Sequence, residues 1–205
     1  MGGDLRKELG IHTDPEFDLE LPAGWARGKP DQETLEQVLS VIKRRMMDAH
    51  RPDMYAQVRT LLSKAFEEMR RNSVIAYFAA SSSAEDALYI PASMTASIRH
   101  AGHGESLDGL VSGLVRNYGA TALRGDKRTV RAEREKTVRI ENATIINHYV
   151  TYLTPIPGAN RRRALQLVAS FGRELDSSDE SPGVAATREL FDGCVATLRW
   201  RRAGV

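Results

Sequence analysis

The segment from residue 144 to residue 172 constrains the fold more than any other part of the chain. Residues 144–154 read Thr-Ile-Ile-Asn-His-Tyr-Val-Thr-Tyr-Leu-Thr, a run dominated by β-branched and aromatic residues, which suit a pleated, half-buried surface. Residues 155–160 follow as Pro-Ile-Pro-Gly-Ala-Asn, the chemistry of a hairpin turn. Residues 163–172 then place Leu165, Leu167, Ala169 and Phe171 on one side of a second strand, because strand side chains alternate with a period of two. Two strands joined so closely pair antiparallel. Their apolar side needs more strands beside it and helices over it.

The rest of the chain supplies both. Residues 16–21, Glu-Phe-Asp-Leu-Glu-Leu, alternate as a strand with one buried side, and Pro22-Ala23-Gly24-Trp25 ends it with a turn. From residue 31 to 50 the spacing of Leu35, Val38, Leu39, Ile42 and Met46 predicts a helix with one apolar stripe, capped by Asp31. Pro52 breaks it. A second stripe runs through Met54, Tyr55, Val58, Leu61, Leu62, Ala65, Phe66 and Met69, so the two helices form a hairpin or a sharply kinked pair. Residues 73–80 and 88–99 read as two antiparallel strands around a Ser-rich turn, the second made irregular by Pro91. Ser106 caps a helix carrying Leu107, Leu110, Val111, Leu114, Val115 and Tyr118. Residues 121–124 read as a short strand. Residues 127–140 are of mixed sign, with Arg134-Glu135-Lys136 interrupting any apolar side, and read as an exposed strand or a hairpin in solvent. Ser181-Pro182 starts a last helix through Leu190, Phe191, Cys194, Val195 and Leu198.

Helices in blocks between runs of strands mark an α+β protein rather than a parallel, doubly wound sheet. Residues 1–15 are polar and aperiodic and read as a flexible tail, leaving residues 16–205 as a single domain.

Bulk properties narrow the function. A formal net charge of +2 provides no global basic field, which speaks against nucleic acid as the partner. No stretch approaches the about 20 apolar residues of a membrane span, and the N-terminus carries no secretory signal pattern. The one cysteine, Cys194, forms no intrachain disulfide. These readings make a cytoplasmic location the expectation.

Candidate chemistry is sparse. His100 and His103 with Glu105 lack the ligand number and frame of a zinc site, so no metal is expected there. Cys194, on an apolar helix face, reads as a structural thiol. No phosphate-binding glycine loop or nucleophile elbow is present. The pairs Glu67-Glu68 and Glu133/Glu135 read as exposed surface, as do the clusters Arg161–Arg163 and Arg199, Arg201 and Arg202. No catalytic residue and no cofactor is therefore assigned. If a ligand pocket exists between sheet and helices, His148, Tyr149 and Tyr152 are the residues to inspect.

Three segments together resemble the PsbP-like superfamily, and in their order its uncharacterised actinobacterial members. They are Phe17-Asp-Leu-Glu-Leu-Pro-Ala-Gly-Trp25, the hairpin strands around Tyr149–Gly158 and Ala164–Phe171, and Phe191-Asp-Gly-Cys-Val-Ala-Thr-Leu-Arg-Trp200 as closing helix. The resemblance implies a central antiparallel sheet with helices packed on both faces, an α/β/α sandwich. It implies binding rather than catalysis, since members of the superfamily share no catalytic residue. The expected partner is accordingly another protein, with a small-ligand module or a cryptic enzyme as the alternative. Pairing of two copies through an edge strand is a further option.

Overall fold

The computed structural model describes residues 15–48, 50–80, 92–102, 106–140, 143–175 and 177–201. The expected tail up to residue 14, the Ser-rich turn and Pro91 lie outside them.

Among these residues seven strands form one antiparallel sheet in the order β2-β3-β4-β8-β7-β6-β5. They are β2 (Trp25–Gly28), β3 (Val74–Ala80), β4 (Ala92–His100), β5 (Thr121–Leu123), β6 (Asp126–Ile140), β7 (Ala143–Pro155) and β8 (Arg163–Glu174). Among the described residues four helices pack on it: α1 (Gln32–Asp48), α2 (Pro52–Arg71), α3 (Asp108–Tyr118) and α4 (Pro182–Ala196). The α+β reading holds. The two short strands β1 (Phe17–Asp18) and β9 (Arg199–Trp200) pair with each other as a separate ribbon. The opening strand therefore lies outside the main sheet, and the closing helix stops at Ala196, short of the expected Trp200. Arg201 clasps this ribbon, donating from Nε to Asp18 Oδ2 at 2.6 Å and pairing with Glu16 at 3.0 Å.

The register explains why the β7–β8 hairpin dominates. Leu167 lies between Ala96 and Tyr152, and Ala169 between Met94 and Val150. With Ala76, Phe78, Leu165 and Phe171 these residues make one continuous apolar side, each at most 4% exposed. We call it the inner face. Phe191 of α4 seals it, its ring 5.7 Å from Trp25 and 6.3 Å from Phe171. Phe17 closes the other end, 6.4 Å from Phe78 and 6.1 Å from Trp200. The guanidinium of Arg27 lies 4.5 Å over the Phe17 ring, a cation–π contact.

The other face is covered at its two flanks. Phe66 of α2 packs edge-on to Tyr77 of β3 at 5.4 Å. Leu107, Val111 and Leu114 pack on Leu153, Ala164 and Val130. Helices therefore lie on both faces of the sheet. The expected cap at Asp31 is present, its Oδ1 accepting from the Thr34 N–H at 2.9 Å. Ser106 sits one residue further out than expected. Leu107 takes the cap position, and the Ser106 hydroxyl turns to the Asp108 carboxylate at 2.7 Å.

The hairpin turn ends in a tight reversal. Asn160 and Arg161 both have positive φ, 47° and 56°, and the Arg162 N–H donates to the Ala159 carbonyl at 2.9 Å. Left-handed non-glycine residues persist only where surrounding contacts hold them. Here the Arg161 carbonyl accepts from the Leu107 N–H at 2.8 Å, and its side chain pairs with Asp108.

Residues 127–140 form a strand, exposed from residue 134 to 137, and not a hairpin in solvent. They belong to β6, which pairs with β7 from Val130–Leu153 to Ile140–Ala143.

Candidate functional site

Alternation along β7 separates the three residues singled out in the sequence. His148 and Tyr152 point to the inner face and are fully buried, whereas Tyr149 points to the opposite face and is half-buried.

The His148 ring stacks on Phe171, centroids 4.8 Å apart and 8° between planes. Its Nε2 accepts from Arg173 Nε at 3.1 Å. A guanidinium only donates, so this contact places the ring proton on Nδ1, which faces Glu133 Oε1 and Glu135 Oε1, each at 3.4 Å. The Tyr152 hydroxyl donates to Asp192 Oδ1 at 2.6 Å. Burial pushes the phenol well above its ordinary range, and the Asp192 carboxylate adds to the shift. Tyr152 is thus a fixed donor.

An ionic network surrounds them and ties α4 to the sheet. Arg131 Nε donates to both oxygens of Asp192, at 2.8 and 3.1 Å, and its other arm reaches Glu133 at 2.9 Å. Arg188 Nε donates to Glu133 Oε1 at 2.6 Å and a second nitrogen pairs with Asp179. Burial alone would raise the Glu133 carboxyl, yet hydrogen bonds from Arg188 and Arg131, with their charges, hold it below the ordinary value. The same contest at Asp179 ends the same way, through Arg188. Among the described residues no buried side-chain polar atom lacks a partner. The expectation that Glu133 and Glu135 are simply exposed surface is corrected for Glu133, whose side chain is 20% exposed and doubly paired. The pattern was visible as Arg131, Glu133 and Glu135 at spacing two, matched by Arg188 and Asp192 at spacing four. What the sequence does not show is that these two faces meet.

Glu135, His148 and Asp179 bring ligand atoms within 4.8 Å of one another, a set that could hold a metal ion. Arg173 already occupies the His148 Nε2 lone pair, and Arg188 the Asp179 carboxylate. Two of the three ligands are thereby committed to guanidinium groups, and the arrangement works as a structural clamp. Of the sequence candidates, His100 is exposed at the end of β4, while His103 and Glu105 lie outside the described residues. Cys194 is buried, and burial pushes its thiol up, the opposite of an activated nucleophile.

The face opposite the network differs in character. Between α2, which sits over β3, and α3, which sits over β6, the middle of β4, β8 and β7 carries three rows of side chains. Ser93, Ser170, Tyr149 and Arg134 form one row; Thr95, Val168, Thr151 and Ala132 the next; Ser97, Gln166 and Leu153 the third. Most of these hydroxyls and amides are half-buried rather than sealed. Asn147 donates to the Ser170 hydroxyl at 2.9 Å, and Arg134 lies 5.0 Å from the centre of the Tyr149 ring. We call this the open face. An open trough of about 810 Å³ also runs beside α2, lined among others by Leu35, Tyr55, Arg59, Ser63, Lys64 and Arg70.

No family model matches the chain, and no curated protein matches it. Among solved structures it is similar to a crystal structure from Bacteroides thetaiotaomicron VPI-5482, at 11% identity and a TM-score of 0.43. That likeness covers 92% of this chain, which spans 46% of the other protein. No helix among the described residues is long and apolar enough to cross a membrane.

Proposed function

We propose that this chain is a non-catalytic cytoplasmic protein that binds another protein, with the open face as its recognition surface. One observation carries the reading: the asymmetry of the sheet. The inner face is sealed by Phe17, Trp25 and Phe191, and the charges of Arg131, Glu133, Arg188 and Asp192 are internally paired. The open face instead leaves Thr95, Gln166, Thr151 and Tyr149 half-buried on strands at the middle of the sheet. Central strands are the most rigid part of such a fold, and a site on rigid elements needs little ordering on binding. Hydroxyl and amide groups beside an aromatic ring suit a protein partner's backbone and polar side chains.

Against a small-ligand site at His148, Tyr149 and Tyr152, the first and last are 0% exposed and hydrogen-bonded within the protein, while Tyr149 lies on the other face. We also propose kinship with the PsbP-like superfamily and its actinobacterial members. The antiparallel sheet between helices on both faces supports it.

The test is site-resolved photo-crosslinking in extract of the native cell. A crosslinking residue at Thr95, Thr151 or Gln166 is expected to capture one and the same partner, and one at Leu61 on exposed α2 is not. If the open-face positions capture nothing, or only what Leu61 captures, the reading fails.

A further inference from the structure

The second edge of the sheet is unusual in how it ends. The outermost strand β5 contacts β6 only at Asp126, Val130 and Arg131. From residue 132 to residue 140, β6 is bonded to β7 on one side and has no strand partner on the other among the described residues. Such a backbone row is a template for one more strand.

Its side chains are sorted by sign. On the inner side, Glu133 is held by Arg131 and Arg188, and Glu135 by Arg173. That leaves Arg134, Lys136 and Arg139, all exposed, and none has a carboxylate partner among the described residues. Arg134 and Lys136 lie on the open face, and Arg139 points the other way. The acids of this stretch are spent within the molecule, and Arg134, Lys136 and Arg139 are left over.

A second copy fits this edge poorly. A two-fold axis between antiparallel strands keeps each face continuous, so only residues of the same face stand opposite. The register that uses all of residues 132–140 sets Lys136 opposite Lys136 of the other copy. The register one step toward the N-terminus sets Arg134 opposite Lys136 and Glu135 opposite Glu135. Like charges directly opposite destabilise a pair. A step in the other sense sets Glu135 opposite Arg139, but Glu135 is already held by Arg173 and that ladder uses only residues 134–140.

We infer that the free edge of β6 receives an extended acidic segment of a different protein, its carboxylates two residues apart to meet Arg134 and Lys136. This rests on the protein-binding reading and names its partner's chemistry. The added strand continues the floor of the open face beyond Tyr149, so one partner can use both surfaces.

The experiment uses the full chain and two short fluorescein-labelled peptides. One alternates glutamate with valine, and the other alternates lysine with valine. Fluorescence anisotropy is expected to show the glutamate peptide binding, more weakly as salt rises. Hydrogen exchange is expected to slow at the β6 amides of residues 132–140. The exposed double variant R134E/K136E should fold normally, lose about tenfold in affinity and gain affinity for the lysine peptide. Equal binding of both peptides, or no binding, overturns the proposal. So does a dimer in light scattering that K136Q strengthens, since the second copy is then the occupant. Failure of both peptides while open-face crosslinks still form refutes the edge alone. Peptide binding without those crosslinks refutes the open face alone.

Discussion

Asp192 is the residue on which the clamp between α4 and the sheet is most exposed to attack. It accepts from a fully buried phenol, Tyr152, and from Arg131, whose side chain is 20% exposed. Replacing Asp192 by Ala leaves the Tyr152 hydroxyl buried without an acceptor, a loss of about 1–3 kcal/mol. Arg131 keeps Glu133 at 2.9 Å, so its charge is not stranded and the full cost of breaking a buried pair does not apply. A total of about 2–4 kcal/mol is expected, read as a lower urea midpoint with an unchanged slope. Tyr152→Phe alone removes one hydrogen bond but keeps Asp192 on Arg131, for about 1 kcal/mol. The double variant removes the orphaned hydroxyl along with its acceptor. It should therefore be no less stable than Asp192→Ala, a departure from additivity of about 1 kcal/mol or more. Strict additivity, or a loss below about 0.5 kcal/mol for Asp192→Ala, would refute the claim that this buried bond joins helix to sheet.

The remaining expectations are briefer. Because the Glu133 carboxyl is held below its ordinary value of 4.5, its contribution is complete above that value and disappears as the pH falls through the depressed one; urea titrations from neutral pH to about pH 3 should show a flatter loss for Glu133→Gln than for the parent. Phe191→Ala should cost about 3–5 kcal/mol, while Leu61→Ala, at a position 54% exposed, should fall within about 0.5 kcal/mol of the parent. Gly28→Ala places a methyl 2.5 Å from the Tyr77 ring, which is itself packed on Phe66, so about 1–3 kcal/mol should be lost in thermal or urea unfolding. Cys194, buried and with its thiol pushed up, should react with an aromatic disulfide reagent only as the protein unfolds.

What the sequence reveals tracks how local its signal is. The β7–β8 hairpin was legible because alternation and turn chemistry coincide within one stretch, and the structure keeps Leu165, Leu167, Ala169 and Phe171 on one face. The first cap at Asp31 and the Pro-led start of α4 are equally local. The chain ends were misplaced because their partners are distant. Phe17 pairs with Trp200, and nothing within six residues of Phe17 tells the main sheet from a separate ribbon. For β6 the difficulty was a different one. Its Arg131, Glu133 and Glu135 look solvated until Arg188 and Asp192 of α4 arrive to neutralise them. A strand whose inward side chains are charged shows no apolar period, and hydrophobic patterning alone cannot assign it a face. The same locality governs His148, Tyr149 and Tyr152. The sequence brought them together as neighbours, whereas the pleat sends Tyr149 to the opposite side of the sheet.

That division on β7 and β6 has a consequence for function. Side chains at positions 131, 133 and 135 of β6 join the network around α4, where fixing three guanidinium groups against four carboxylates consumes Glu133 and Glu135. Among the described residues the side chains at positions 134 and 136 have no such partners, so Arg134 and Lys136 remain as net positive charge beside the open face. One strand thus does two jobs through its period of two: its inward half holds a helix, and its outward half faces solvent with an unbalanced sign. A helix clamp built from hydrophobic residues alone would have left Glu133 and Glu135 unnecessary and the strand basic throughout. A chain of net charge +2 thus carries a local basic edge, and an edge of that kind discriminates between partners by the sign of the strand they offer.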